Sequence, residues 1–143
     1  MFDMPVRSMM QRRSMLKTGP DTVVSKVAKL MASKHVGAVM IVEKTRLIGI
    51  FTERDVVFRV VARGLDVLTT RVADVMTPAP VTIAPDKPFG YALMMMSQMG
   101  FRHLPVIEDD KLVGIVSARS ALDPDLEEFE SEVQRRKHLM GNG

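Results

Sequence analysis

Two stretches of the chain repeat the same order of apolar and polar positions. Each opens with an Asp, Asp21 or Asp86, followed by residues with the apolar spacing of a helix. Because an Asp carboxylate can accept hydrogen bonds from the free N–H groups of a first helical turn, both are predicted to be N-caps. The apolar helix positions are Val24, Val27 and Leu30 in the first stretch and Phe89, Ala92, Met95, Met96 and Met99 in the second.

Two short strands follow each predicted helix. They are nearly continuous apolar runs at 39–42 and 47–51, and then at 104–107 and 112–116. A charged turn joins the two strands of each pair. Strands with so few polar residues predict a sheet that is covered on both faces, which favours an α/β fold.

Polar residues mark where further elements begin. Thr52 and Ser117 come directly after the second strand of each pair and are predicted to cap further helices. The first of these helices is predicted to end at Gly64. Before the second stretch, residues 79–83 predict a short strand that follows a turn at 76–78.

The two stretches are copies of one another. Leu47–Arg54 matches Leu112–Arg119 at an offset of 65 residues, which is 114 minus 49 for the shared glycine. The same offset carries Met31 onto Met96 without a gap. Such internal self-similarity indicates a duplication. It predicts one repeat over residues 8–64, a second over 71–122, and an extension over 123–143.

The extension is predicted to form one more helix after Asp123-Pro124. Its apolar positions Leu126, Phe129 and Val133 lie along one side. Such a stripe must be buried against the same module or against another subunit. We therefore expect the extension to matter for assembly more than for ligand binding.

Composition narrows the classes of function. The formal charge is +3, which suits an anionic ligand, but the chain has no Trp and one Tyr, too few for the aromatic platforms of single-strand binders. The absence of Cys excludes disulfides and thiolate metal sites. We find no secretory leader and no membrane-spanning run, so a cytoplasmic location is expected. Of the 13 Met residues, Met94, Met95 and Met96 are predicted to fill the core.

No pattern of catalytic residues is evident. His35, His103 and His138 are scattered, and the sequence has no P-loop, no dinucleotide-binding glycine motif and no metal-ligand spacing. We therefore expect a protein that is not an enzyme and needs no catalytic cofactor or metal.

Three motifs resemble the CBS domain. They are Gly-Ile-Phe-Thr-Glu-Arg-Asp at 49–55, Val-Met-Thr-Pro at 75–78 and Arg-His-Leu-Pro-Val at 102–106. The resemblance implies tandem βαββα repeats with pseudo-two-fold symmetry. It also implies a cleft between the repeats that holds an adenosyl ligand such as AMP, ADP, ATP, NAD or S-adenosylmethionine, and a homodimer.

Thr52 and Asp55 have two interpretations. If Thr52 caps a helix, the free N–H groups there suit a phosphate, and Asp55 on the same turn could accept hydrogen bonds from both hydroxyls of a ribose. The family resemblance implies these same roles. The alternative is that the two residues form only a capping box.

The resemblance implies that the second repeat completes the site of Asp55. Backbone around Ala79 and Val81 would meet adenine, while Arg102, His103 and Arg119 would face phosphate, for which arginine offers a fixed fork of donors. The alternative makes Arg102 a solvated charge and His103 a structural histidine at a strand start.

The equivalent site of the other repeat departs from the pattern. Ser120 stands where the ribose-binding Asp is expected, and Gly37-Ala38 stand in place of Arg102-His103. We therefore expect one good site in each chain.

Three functions remain open on the sequence. The first is an adenine-nucleotide sensor that regulates an unknown partner protein. The second is a module associated with RNA or DNA, suggested by the basic residues Arg7, Arg12, Arg13 and Lys17. The third is a structural dimerisation module whose cleft is vestigial.

Overall fold

The computed structural model describes residues 1–121 together with Val133, Arg135 and Arg136. The helices are α1 (Val6–Met9), α2 (Val24–Lys34), α3 (Glu53–Asp55) and α4 (Phe89–Met99), with a π-helix over Val56–Val61 that continues α3, and 3-10 turns at Val72–Asp74 and Ala118–Ala121. The strands are β1 (Leu16–Thr18), β2 (Ala38–Glu43), β3 (Arg46–Thr52), β4 (Thr77–Pro78), β5 (His103–Glu108) and β6 (Lys111–Ser117). Except for three helical residues, Val133, Arg135 and Arg136, the predicted C-terminal helix lies outside the described part.

Each repeat folds around an antiparallel strand pair. The first repeat has a four-stranded sheet in the order β1-β2-β3-β4, in which β1 is parallel to β2. The second has the pair β5-β6, with the single parallel bridge Ile83–Val106 at the place of β1 and the bridge Gln11–Ile115 at the place of β4. The predicted α/β class and tandem repeat fold are confirmed.

The predicted strand at 79–83 is wrong. Residues Thr77–Pro78 instead form β4 against β3, and only Ile83 reaches β5 through a single bridge to Val106. The reason is that Ala79 has φ 44°, which turns the chain away after β4.

The two repeats share a core. One apolar cluster fills each repeat, around Phe51 in the first and Phe89 in the second. A third cluster joins Met40 and Ile50 of the first repeat to Ile115 of the second. Because these residues are buried, the repeats pack as one unit rather than as two separate domains.

The predicted N-caps Asp21 and Asp86 are wrong. Helix α2 begins after Val23 and α4 after Pro88, and neither cap makes a side-chain hydrogen bond. Backbone carbonyls replace them, since the N–H of Val24 donates to Thr70 O over 2.9 Å and that of Phe89 donates to Met4 O over 2.7 Å. Asp21 instead accepts a hydrogen bond from Arg71 Nη1 over 2.7 Å.

These carbonyls belong to two covering segments, which we define as residues 2–11 and 67–77. Segment 2–11 packs on the second repeat, and segment 67–77 packs on the first. The N–H of Val72 donates to Thr22 O in the first repeat, and that of Val6 donates to Lys87 O in the second, both over 2.8 Å. Since Thr22 and Lys87 are 65 residues apart, the two segments make equivalent contacts.

The covering segments place a methionine against a glycine in each repeat. A Cβ atom on Gly49 would clash with Met76 Sδ, and one on Gly114 would lie 2.8 Å from Met10 Sδ. These contacts require the two strand positions to lack a side chain. No helix in the part of the chain that the structure describes is long and apolar enough to cross a membrane.

The methionines of α4 fill the core only in part. Met96 is buried at 3% exposure, Met95 is half-buried, and Met94 is 46% exposed. The prediction for Met94 is therefore wrong. Its position puts it on the outer face of an amphipathic helix, beside the exposed Tyr91.

Candidate functional site

The first turn of α3 holds Thr52 and Asp55 together. Thr52 is the N-cap, and its Oγ1 accepts a hydrogen bond from the Asp55 N–H over 3.3 Å. In return, Asp55 Oδ2 accepts from the Thr52 N–H over 2.9 Å and from the Thr52 hydroxyl over 3.2 Å. The predicted capping box is confirmed, and it fixes one oxygen of the carboxylate.

The other carboxylate oxygen of Asp55 faces the covering segment 67–77. Thr77 Oγ1 donates to Oδ1 over 3.3 Å, and Arg59 Nε lies 3.5 Å from the same atom. Asp55 is only 6% exposed. The site therefore presents a nearly buried carboxylate that is surrounded by hydrogen-bond donors.

Sequence reasoning missed Thr77 and Arg59 as members of this site. Thr77 lay in a recognised motif, but nothing in that motif indicated which side chain it would meet. Arg59 follows Asp55 by four residues, the spacing of neighbours on a helix face, so its approach could have been predicted.

His103 and Arg102 lie at the start of β5, where His103 pairs with Ser117. Burial lowers the pKa of His103 from its ordinary value. The Glu53 carboxylate opposes this shift, and the charge of Arg102 adds to it. Glu53 is the first residue of α3, directly after the Thr52 cap of the first repeat.

Arg102 and Arg119 both have exposed side chains. The Arg102 carbonyl accepts a hydrogen bond from the Ala118 N–H over 3.0 Å, which places Arg102 beside the turn that contains Arg119. Both residues therefore lie near the start of this turn, and both are exposed to solvent.

Ala79 and Val81 are exposed, and Ala79 borders a shallow cavity of about 570 Å³. Its N–H donates to Ile48 O over 3.2 Å, beside the end of β4. The cavity is lined by Glu43, Lys44, Thr45, Arg46, Leu47, Ile48 and Ala79. Of the seven predicted site residues, this cavity therefore includes Ala79 and none of the others.

The second repeat has a hydroxyl version of the same turn. Ser120 Oγ accepts from the Ser117 N–H over 3.4 Å and lies 3.3 Å from Ser117 Oγ. Ser120 is buried at 4% exposure. This turn thus keeps the hydrogen bond from the N–H of the capping position to the side chain three residues later, but that side chain carries no charge.

Gly37 also departs from its counterpart Arg102. A Cβ atom on Gly37 would lie 2.6 Å from Glu53 Oε1, so the Glu53 side chain occupies the space that a larger residue would need. In the first repeat, an acidic side chain therefore lies against the position that Arg102 holds in the second.

The chain matches known proteins over most of its length. The family model described as "CBS domain" matches residues 6–62 and 72–125. The mitochondrial CBS domain-containing protein CBSX3 of Arabidopsis thaliana is 34% identical over 131 residues, which are 88% of this chain and 63% of that relative. The chain spans still smaller shares of several other curated relatives.

Solved structures have the same fold. A putative signal-transduction protein with CBS domains from Burkholderia ambifaria is 27% identical, with a TM-score of 0.80 and coverage of 87% of this chain and 95% of that one. A CBS domain protein from Pyrobaculum aerophilum, complexed with AMP, is 22% identical, with a TM-score of 0.75 and coverage of 87% and 99%.

Proposed function

The chain belongs to the CBS domain family, and we propose that it is a regulatory module that binds an adenine nucleotide beside Asp55. The observation that carries the proposal is the Asp55 carboxylate, which is nearly buried and fixed by the capping box at the start of α3. A structure of the same fold holds AMP, which supports a ligand of this chemical class.

The capping box and a ribose role are compatible. Oδ2 of Asp55 accepts hydrogen bonds from Thr52. Among the described residues, Oδ1 receives only the Thr77 hydroxyl at 3.3 Å and the longer contact with Arg59. An ionised carboxylate offers about four acceptor positions. A ribose diol would therefore donate to the Oδ1 side and replace or share these weaker contacts.

We assign the phosphate and the adenine of the nucleotide to residues of the second repeat. Arg102, Arg119 and His103 would bind phosphate, since the two arginines are exposed and arginine offers a fixed fork of donors to phosphate oxygens. Backbone near Ala79 and Val81 would contact adenine, with the apolar Leu47 and Ile48 in the cavity wall. AMP, ADP, ATP and NAD all fit this description.

The proposal includes a homodimer that acts on a partner protein without catalysis of its own. Apolar side chains on the outer faces of the π-helix and α4 support the dimer. Those more than 40% exposed are Val57, Phe58, Val61, Tyr91, Met94 and Met99. Exposed patches of this kind mark surfaces where another chain binds.

A thermal-shift panel tests the nucleotide proposal. AMP, ADP, ATP and NAD are compared with GMP, GTP and inorganic phosphate. An adenine ligand present at ~100 times its Kd stabilises the folded chain by about 2.7 kcal/mol, which raises its melting temperature. Equal shifts with phosphate alone, or no shift with any adenine compound at millimolar concentration, would refute the proposal.

A further inference from the structure

Arg59 joins two parts of the molecule that are far apart in the sequence. It lies on the π-helix, and its Nε is 3.5 Å from Asp55 Oδ1. Its Nη1 donates to the carbonyl of Met76 over 2.7 Å. Met76 belongs to the covering segment 67–77, so one guanidinium spans the capping turn and the segment between the repeats.

The carboxylate oxygen that Arg59 contacts is the one that the helix leaves unfixed. Oδ2 is held by the backbone and hydroxyl of Thr52, within the same turn. Oδ1 is held by Arg59 and by Thr77, and Thr77 follows the Met76 carbonyl that Arg59 also binds. Arg59 therefore determines the position of Oδ1 both directly and through the covering segment.

The second repeat supports this assignment because its sequence has a different residue at each of the three places. In the sequence, Ser120 and Pro124 stand 65 positions after Asp55 and Arg59. Gln11 takes the place of Thr77, because it pairs with β6 as Thr77 pairs with β3. The strand-to-turn transition at residues 117–120 is thus formed without a carboxylate. A carboxylate is consequently not required for this transition, and the Asp55–Arg59 pair of the first repeat needs another explanation.

On the basis of the proposed function, we propose that Arg59 is a positioning residue that orients the Asp55 carboxylate for a ribose diol. It does not contact the ligand in this assignment. The Arg59 side chain is 37% exposed, so part of it lies in the protein while its fork of donors satisfies Oδ1 and the Met76 carbonyl together. A residue in this role affects recognition of the diol more than recognition of adenine or phosphate.

The test compares AMP with 2′-deoxy-AMP, and ATP with 2′-deoxy-ATP, by isothermal titration. The variants are Arg59→Met, which keeps an apolar stem of similar length, Arg59→Lys, and the control Arg63→Met, which removes an exposed charge from the next turn. Both ligands of a pair carry the same phosphate charge. The loss of a positive charge weakens both ligands of a pair equally, so this effect cancels in their affinity ratio.

We expect the parent and Arg63→Met to prefer the ribonucleotide by about tenfold, the effect of one charge-assisted hydrogen bond. Arg59→Met should bring the ratio near one while changing 2′-deoxy-AMP affinity by less than about threefold, and Arg59→Lys should restore part of the preference. An equal loss for both members of a pair, or an unchanged ratio, would overturn the assignment of Arg59 while leaving the proposed function intact. Failure of the parent to bind AMP, ADP, ATP or NAD would overturn both.

Discussion

The Oγ atoms of Ser117 and Ser120 lie 3.3 Å apart at the places where Thr52 and Asp55 form the capping box of the first repeat. The backbone makes the same strand-to-turn transition with a buried hydroxyl as with a buried carboxylate. A hydroxyl is cheaper to bury than a charge. Burial of the Asp55 carboxylate therefore costs more free energy than this turn requires, which is consistent with a role in ligand binding.

Replacing Asp55 by Ala should weaken adenine-nucleotide binding by roughly 10- to 100-fold, because it removes charge-assisted hydrogen bonds worth about 1.5–3 kcal/mol. Ser120→Ala should change the affinity little, since position 120 already lacks a carboxylate. Isothermal titration of AMP, ATP and NAD against the three proteins provides the measurement. Asp55→Ala also breaks the capping box, which should cost about 1 kcal/mol of stability, so titrations belong well below its melting temperature.

Two results would contradict this prediction. If Asp55→Ala binds as tightly as the parent protein, the residue serves only the capping box. If Ser120→Ala is the damaging change, the nucleotide occupies the other cleft and the ranking of the two sites is reversed.

His103 should make stability depend on pH. Its pKa is lowered in the folded protein, chiefly by burial, from the ordinary 6.5. Between the lowered value and 6.5 the unfolded chain binds more protons, so the free energy of unfolding should fall as the pH drops below 6.5. Urea unfolding between about pH 5 and 7.5 measures this slope.

His103→Gln should reduce that slope relative to the parent protein. His35→Asn is a matched control, because His35 is exposed and Asn tolerates its φ of 54°. If the pH slope of the parent survives in His103→Gln but disappears in His35→Asn, the pH dependence comes from His35 and the prediction for His103 is wrong.

The outer face of the π-helix should be part of a dimer interface. Phe58 is 59% exposed and Val61 is 66% exposed, and a Glu at either position would place an unpaired charge in such an interface. We expect Phe58→Glu and Val61→Glu to be monomeric at micromolar concentrations by sedimentation, where the parent is a dimer. Leu68→Glu, at a position 69% exposed and outside the helix, should remain dimeric. A monomeric parent would rule out this interface.

Gly49 should not tolerate a side chain. Ala at this position would force Met76 away from β3, and overpacking of this kind costs about 1–3 kcal/mol. Gly19→Ala is the control, since no atom lies within 4 Å of the added Cβ. Chemical denaturation should show a loss for Gly49→Ala, no loss for Gly19→Ala, and partial recovery when Met76→Ala is added to Gly49→Ala. Without that recovery, the loss would have a cause other than the clash with Met76.

The features that could be predicted from the sequence are those that depend on residues close together in the chain. The strands and the Thr52 cap depend on neighbours within a few residues, and the internal repeat showed each of them twice. The caps proposed at Asp21 and Asp86 failed because the helices receive backbone carbonyls from residues 70 and 4. No local pattern indicates such distant partners.

In the candidate site, too, the local contacts could be predicted from the sequence and the distant ones could not. Thr52 and Asp55 were identified because they share a helical turn, whereas the contacts of Asp55 with Thr77 and of Arg59 with Met76 link residues 22 and 17 positions apart. Periodicity carries no information about contacts of that kind. They depend on how the covering segment 67–77 crosses the first repeat.

The repeat that recurs in the sequence is not the unit that folds, because each repeat is covered by the segment that precedes the other repeat. The second repeat takes its cover from residues 2–11, and the first takes its cover from residues 67–77. A single repeat with its leading segment could complete this arrangement only by exchanging segments with a second molecule. Because both repeats lie in one chain, the exchange is intramolecular, and closure of the fold does not depend on protein concentration.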